Sequence, residues 1–255
     1  MNKSKKIIIA FIAVLTAIAL FLIGVMSFFI AGGDKFADTI DKRKDAFKTV
    51  VFEKEYNIND FKKLKIDVGC ADVIFKPSEN ENVSVTVFGA KDNKFSSEIK
   101  DEMLELNEIY GRATLNWKSL KKALKFNGLH IVVKIPQTFN CPVDIDANVG
   151  DIEFQTEYNS SLSVQISSGD FEAVSLKGKF DISTDAGDIS IKNAEPYENS
   201  FLKTDTGDIE VDNISNTKIV SEADTGDEDI NGSDDNSSVT LNVSTDTGDI
   251  EVNDN

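Results

Sequence analysis

The chain has 255 residues, of which 40% are hydrophobic and 28% are charged, a composition typical of globular proteins. Its 44 acidic against 27 basic residues give a formal net charge of −17, which argues against unaided binding to nucleic acid or to anionic lipid, because both need a basic surface. Two cysteines and one histidine are too few for a zinc finger, an iron–sulfur cluster or a disulfide scaffold, so we predict no metal site and no cofactor.

Residues 7–31 are predicted to form a transmembrane signal anchor. The 24 residues of Ile7–Ile30 are almost wholly apolar, and as a helix they would extend ~36 Å, enough to cross a hydrocarbon core of ~30 Å. Three lysines precede them, so the positive-inside rule puts residues 1–6 in the cytoplasm and everything after Gly33 outside. The alternative is a cleaved signal peptide, but its apolar core usually has only ~7–15 residues.

Residues 32–50 are interpreted as a juxtamembrane spacer, because they are rich in charge and contain no β-branched run. The alternative is an interfacial amphipathic helix, in which Phe36, Ile40 and Phe47 would share the buried face.

Residues 51–143 are predicted to form an irregular β lead-in to the rest of the chain. Short runs of alternating apolar residues, joined by polar loops, indicate its strands. The predicted strands are residues 64–68 and 71–75 on either side of Gly69, and residues 83–88, 103–106, 113–117 and 130–136. Residues 118–128 are basic and are typical of either one helical turn or a loop.

Residues 144–255 are a distinct, very acidic unit in which a Gly-Asp pair repeats. The unit contains 27 acidic residues, five lysines and no arginine. The pair recurs in steps of 19, 18, 20, 19 and 22 residues, and the segment Asp205–Val211 is identical to Asp246–Val252. The six pairs, our candidate repeat-turn residues, are Gly150-Asp151, Gly169-Asp170, Gly187-Asp188, Gly207-Asp208, Gly226-Asp227 and Gly248-Asp249.

Apolar or small residues alternate before each Gly, which indicates a strand with one buried face, and an Ile-x-Val element after it indicates a second short strand. The residues five, three and one position before Gly are all predicted to face inward. The set one position before Gly is Val149, Ser168, Ala186, Thr206, Thr225 and Thr247. Between the two strands the chain must turn. There Gly tolerates a positive φ, and Asp is expected to bind the amides of its own turn.

This pattern predicts an all-β fold, a parallel β-solenoid with coils of about 19 residues. Coils stacked about 4.8 Å apart would align their apolar rows into one continuous interior. An antiparallel sandwich is the alternative, but it would not need the same turn and apolar register in every copy. The copy at Gly226 carries Glu228 where the others carry an apolar residue, so we expect a bulge or local distortion there.

The order of these segments resembles the putative-adhesin family of membrane-anchored, TGDI-repeat β-solenoid proteins, common in Gram-positive bacteria. The resemblance rests on the N-terminal anchor, Gly69-Cys-Ala-Asp-Val73, the strand ending at Pro136 and the serial TGDI-type copies, and it covers roughly residues 60–255. It implies a β-solenoid outside the membrane. Some family members are encoded beside envelope-stress regulatory systems, and the family has no defined biochemical role.

The Asp residues that follow the glycines would line one edge of the stack, with Asp185, Asp205, Asp224 and Asp246 close by. Unit charges ~4.8 Å apart repel by about 0.9 kcal/mol even in water. Two interpretations follow. Either the turn amides offset this repulsion, or the edge binds divalent cations weakly through its carboxylate oxygens.

The remaining candidates for chemistry also have a packing interpretation. Cys70 and Cys141 would lie at opposite ends of neighbouring coils, which favours separate thiols over a disulfide. His130 is the only histidine and begins a strand, which favours a packed or strand-edge residue over a catalytic base. Three aromatic residues could stack against a sugar ring, but packing in the core or in a loop is the preferred interpretation; they are Tyr110, Trp117 and Phe126.

We therefore expect a single-pass cell-membrane protein whose extracellular domain serves binding, adhesion or scaffolding at the cell envelope. No catalytic residue is predicted, so the protein is not expected to be an enzyme. Its partners would be the membrane, through the N-terminal helix, and an envelope protein or wall polymer; the oligomeric state stays open. The alternatives are an accessory protein of an envelope-stress response that acts through a membrane partner, and a carbohydrate-active enzyme, which would need carboxylates paired across a groove.

Overall fold

The computed structural model describes residues 49–90, 93–109 and 128–254, which form 19 β-strands and one turn of 3-10 helix, η1 (Ile58–Asp60). The strands of the lead-in are β1 (Val50–Asn57), β2 (Lys63–Pro77), β3 (Asn82–Phe88), β4 (Phe95–Lys100), β5 (Met103–Glu108) and β6 (Leu129–Ile135). The strands of the repeats are β7 (Val143–Val149), β8 (Ile152–Asn159), β9 (Leu162–Ser168), β10 (Phe171–Gly178), β11 (Phe180–Ala186), β12 (Ile189–Ile191), β13 (Ala194–Pro196), β14 (Ser200–Thr206), β15 (Ile209–Val211), β16 (Lys218–Ala223), β17 (Glu228–Ile230), β18 (Thr240–Thr247) and β19 (Ile250–Val252).

The repeats wind into a parallel β-solenoid, which confirms the all-β, parallel part of the predicted fold. Each winding gives a strand to each of two faces: β7, β9, β11, β14, β18 and β16 follow one another on the first face, and β8, β10, β12, β15, β19 and β17 on the second. The short strand β13 pairs in parallel with the end of β10. All these neighbours pair in parallel, so the antiparallel sandwich is excluded as the architecture of the repeats.

Matching side chains from successive windings fill the interior, as predicted. On the first face, however, the inward-facing part of each strand ends earlier than the sequence suggested. Residues five and three positions before Gly are buried in the five inner windings, as are the Ile or Phe two positions after it. The residues one position before Gly are exposed, and Val149 keeps 42% of its surface accessible. The chain already bends toward the corner at that point, so the prediction that this set faces inward was wrong.

The lead-in joins the same stack instead of standing apart from it. β2 is long enough to cross both faces: its first half pairs with β5 and β7, and its second half pairs with β6 and β8. The predicted strands 64–68 and 71–75 are therefore one element. Beyond β5 and β6 the stack is closed by antiparallel strands, since β4 pairs with β5, β3 with β6 and β1 with β3.

The windings do not follow one another in chain order at the C-terminal end. β18 and β19 pair with β14 and β15 on one side and with β16 and β17 on the other. The copy at Gly248 therefore lies inside the stack, and the copy at Gly226 is the outermost winding.

Disulfide trapping can test this inverted order. Ser244 lies beside Lys203 in one register and beside Glu222 in the other, whereas Lys203 and Glu222 are two strand spacings apart, roughly 9.6 Å. Cysteines at 203 and 244 should therefore form a disulfide, and cysteines at 203 and 222 should not, because Cα atoms more than ~7 Å apart cannot be bridged. Gel mobility after mild oxidation, in a chain whose native cysteines are replaced by alanine, gives the readout. Stacking in chain order would reverse the two results.

The expected distortion at Gly226 is absent: Glu228 pairs with Ile250 and Ile230 with Val252 in unbroken register. Glu228 tolerates its position because this winding ends the stack and one side of it meets solvent. Its carboxylate accepts a hydrogen bond from the Ala223 backbone amide at 3.0 Å and another from the Ser221 hydroxyl. The departure from the repeat is therefore a polar end cap and not a bulge.

Several predictions concern residues outside those described. These are the cytoplasmic tail 1–6, the span 7–31, residues 32–48 of the spacer, the strand 113–117, residues 118–127 of the basic segment, and the aromatic residues Tyr110, Trp117 and Phe126. Within the described ranges, no helix has the length and hydropathy of a membrane span.

Candidate functional site

The Gly-Asp pairs form one column of corners along the stack, where the first face meets the second. All six glycines have φ between 137° and 149°, a region that residues with a Cβ rarely enter. A Cβ at any of them would lie 1.9–2.1 Å from a carbonyl oxygen of the neighbouring corner. Positive φ and close approach together explain why every copy carries glycine.

A seventh corner, Ala71-Asp72, begins the column within β2. Cys70 pairs with Val149 and Val73 with Ile152, which aligns Ala71 with Gly150 and Asp72 with Asp151. In stack order the aspartates are Asp72, Asp151, Asp170, Asp188, Asp208, Asp249 and Asp227.

The aspartates of the corner column bind one another's backbone. In the first six of the seven, the Oδ1 atom accepts a hydrogen bond from the amide of the next Asp in the stack, at 2.8–3.2 Å. We expected each Asp to bind its own turn; the partner is instead the neighbouring winding, because stacking brings that amide to hydrogen-bond distance. A backbone amide donor between each pair of neighbouring corners offsets part of the repulsion between their carboxylates, which lie only one strand spacing apart.

Threonine hydroxyls reinforce the column from the inside. Three inward-facing threonines, each buried and each three positions before its glycine, donate to the corner carbonyl of the preceding winding at 2.9–3.2 Å. The pairs are Thr184 with Gly169, Thr204 with Gly187, and Thr245 with Gly207. The corners are thus tied by main-chain, carboxylate and hydroxyl contacts, which makes them a rigid edge.

A second set of carboxylates lies two positions before the glycines in the last four windings. Lys203 is the cation among them, with its Nζ 3.0 Å from Asp205. The hydrogen bond to Asp205, the charge of Asp205 and the charges of Asp246 and Asp185 raise the pKa of the Lys203 ammonium. The flank of the column therefore carries a negative potential.

The cation hypothesis finds no site among residues 49–90, 93–109 and 128–254. No three His, Cys, Asp or Glu side chains converge there closely enough to hold a metal ion. The corner carboxylates stand in single file, and six of the seven have an oxygen engaged by a backbone amide.

Glu108, at the end of β5, is a structural residue that the sequence did not reveal. Its Oε2 accepts hydrogen bonds from the amides of Gly69 and Cys70, both at 3.0 Å, in the first corner of the stack. Burial raises the pKa of this carboxyl, and the hydrogen bond from Cys70 opposes the rise. No motif marks Glu108, since it simply follows an ordinary strand.

The cysteines and the histidine lie where the sequence placed them. Cys70 is beside Val149, and Cys141 is two residues before Val143, the partner of Leu64, so the two cysteines lie at opposite ends of the β2–β7 pair and form no disulfide. His130 is the second residue of β6. Its ring is half-buried, and its Nδ1 lies 3.9 Å from the Asp72 carboxylate. This position agrees with a strand-edge residue.

Solved structures with a similar course of the chain come from several bacteria. A putative cell adhesion protein from Clostridium sporogenes gives a TM-score of 0.44 at 14% identity, over 81% of this chain and 100% of that one. A putative adhesin from Bacteroides fragilis gives 0.41 at 15% identity, over 82% and 98%. One from Parabacteroides merdae gives 0.36 at 17% identity, over 79% and 95%. No curated protein matches the sequence.

The match to a family model covers both the lead-in from β2 onward and all the repeats. The model is described as Toastrack DUF4097, and it aligns with residues 61–255, about three quarters of the sequence. The windings and corners described above all fall within this range. The chain therefore belongs to the Toastrack DUF4097 family.

Proposed function

We propose that the protein is a membrane-anchored, extracytoplasmic β-solenoid that serves binding, adhesion or scaffolding at the cell envelope. The apolar segment 7–31 with its preceding lysines supports the location. The binding role is supported by the corner column, because a rigid edge that repeats the same chemistry at every strand spacing suits a partner that is itself repetitive.

The observation that carries the proposal is the registered column of seven aspartates held by backbone amides. Six of its Oδ1 atoms accept these hydrogen bonds, while the exposed carboxylates keep their second oxygens for a partner. Such an edge favours an envelope protein or wall polymer that carries repeated positive charges or hydrogen-bond donors.

Substitutions that remove charge but keep the shape of the side chain test the role of this edge. The variant Asp188→Asn/Asp208→Asn keeps an acceptor oxygen at each rung, so the fold should survive while two charges are lost. We expect the full-length variant to bind isolated envelope material several times more weakly than the wild type in a co-sedimentation assay. The matched control is Asp234→Asn/Asp235→Asn, the same charge change in the loop between β17 and β18, which should bind like the wild type.

Two results would contradict the proposal. One is equal binding by the corner variant and the wild type, which would remove the column from the interface. The other is resistance of the domain to protease added to intact cells, which would remove the extracytoplasmic location.

A further inference from the structure

A groove lies on the opposite side of the stack from the corner column, where second-face strands end and the chain turns back. Its volume is about 660 Å³, within the usual range for small-molecule sites. Its walls come from the end of β1 with η1, the turn before β3, and the segment between β6 and β7. The lining residues used below are Ile58, Lys62, Glu81, Asn82, Thr138, Asn140 and Pro142.

The groove holds two side-chain amides that the fold does not use. Among the described residues, neither the Asn82 nor the Asn140 side chain has a hydrogen-bond partner. Asn57, in contrast, caps η1: its Oδ1 accepts a hydrogen bond from the Asn59 backbone amide at 2.9 Å. A primary amide offers two donors and an acceptor, so Asn82 and Asn140 present both halves of the hydrogen bond to a ligand.

One cation and one anion line the groove, and each already has a partner in the fold. The Lys62 ammonium is held by Glu102 at 2.7 Å, and the Glu81 carboxylate accepts from the Thr138 hydroxyl at 3.0 Å. In a chain with a net charge of −17, a lining with one residue of each charge sets the groove apart from the acidic corners. It disfavours strongly charged ligands and leaves amides and a hydroxyl as the recognition groups.

The wall beside Asn140 is fixed from below. The buried Tyr158 hydroxyl lies 2.8 Å from the Cys141 carbonyl oxygen and 2.9 Å from the Ser161 carbonyl oxygen, which share its one proton. Pro142, next in the chain, is exposed at the rim, and Ile58 is half-buried opposite the turn. A wall held in place before binding reduces the ordering cost of taking up a ligand.

We propose that this groove binds a neutral oligosaccharide, independently of the corner column. Sugar hydroxyls both donate and accept hydrogen bonds, which matches the amides of Asn82 and Asn140 and the Thr138 hydroxyl. The C–H surface of the sugar ring would pack on Ile58 and Pro142. The site assigns the protein a carbohydrate ligand in addition to any partner of its acidic edge.

Titration of the full-length protein, in a detergent without a sugar headgroup, tests the proposal with three neutral probes: chitotetraose, cellotetraose and maltotetraose. We expect at least one to bind saturably, and Asn82→Leu/Asn140→Leu to weaken that binding by about tenfold or more. The matched control is Asn148→Leu, an exposed asparagine on β7 outside the groove, which should bind like the wild type. Asp188→Asn/Asp208→Asn should also leave sugar binding unchanged, which separates this site from the corner column.

The proposal is overturned if none of the probes binds at a concentration on the order of 10 mM. It is equally overturned if the double variant binds as tightly as the wild type while its melting temperature is unchanged. Should that variant fail to fold, Thr138→Val replaces it and should weaken binding, because Thr138 is exposed and Glu81 is the one hydrogen-bond partner of its hydroxyl among the described residues.

Discussion

Gly207→Ala should destabilise the protein by about 3 kcal/mol or more, one of the largest effects available to a single added methyl group. Gly207 has a φ of 149°, and a Cβ there would lie 2.1 Å from the Gly187 carbonyl oxygen. That oxygen also accepts a hydrogen bond from the hydroxyl of Thr204, so it cannot move without breaking a part-buried hydrogen bond. Denaturant unfolding followed by far-UV circular dichroism measures the loss.

Two further variants show whether the stacked corner is the cause. Thr206→Ala changes the adjacent exposed residue and should stay within about 0.5 kcal/mol of the wild type. Gly226→Ala makes the same clash with the Gly248 carbonyl, but in the outermost winding, which can shift into solvent, and it should cost less than Gly207→Ala. Equal losses from all three substitutions would contradict the stacked-corner account.

Glu108→Leu should destabilise the protein by roughly 2–5 kcal/mol, because it leaves the amides of Gly69 and Cys70 without their carboxylate acceptor. Glu108→Gln is the matched control: it keeps an acceptor oxygen and removes the buried charge, so it should be at least as stable as the wild type near neutral pH. Thermal unfolding of the three proteins gives the comparison. A Gln variant as unstable as the Leu variant would show that the charge, and not the hydrogen bonds, is essential.

The pKa shift of Glu108 also fixes how stability depends on pH. Burial raises its pKa in the folded state, so the folded protein holds this proton more tightly than the unfolded chain does. The resulting stabilisation is present at low pH and is lost as the pH rises through the raised pKa. The stability of Glu108→Gln relative to the wild type should therefore increase across that rise. The other carboxylates are common to both proteins and cancel in this comparison.

The fold of the repeats could be predicted from the sequence because the pattern that defines a winding lies within one short segment of the chain. A Gly-Asp turn at fixed positions defines two strands and a corner in five of the six copies. In these five, an apolar residue lies five positions before Gly, an apolar residue or a threonine three positions before it, and Ile or Phe two positions after it. Local pattern also explains the errors. Alternation alone cannot show that Val149 and its counterparts lie past the last inward position, since the strand continues while its direction changes.

The order of the windings could not be predicted, because it depends on which copies become neighbours and not on any one copy. Glu228 was the available signal: an acid at an interior position fits an outermost winding better than a distortion. The corner glycines and aspartates of the candidate site could be predicted because they repeat along the sequence. Their hydrogen-bond partners could not be predicted, because these come from adjacent windings. The hydrogen bonds of Glu108 and the groove both depend on contacts between segments that are distant in the sequence. No local sequence pattern could therefore predict them.

The inverted order at the C-terminal end has a consequence for biogenesis. The strands β16 and β17 leave the ribosome before β18 and β19, yet their final partners are those later strands. A nascent chain that stops near residue 235 therefore has the outer winding but not the layer on which it rests. Completion of the stack is coupled to the arrival of residues 240–252, so an interrupted product would expose an unfinished β edge to proteases and chaperones.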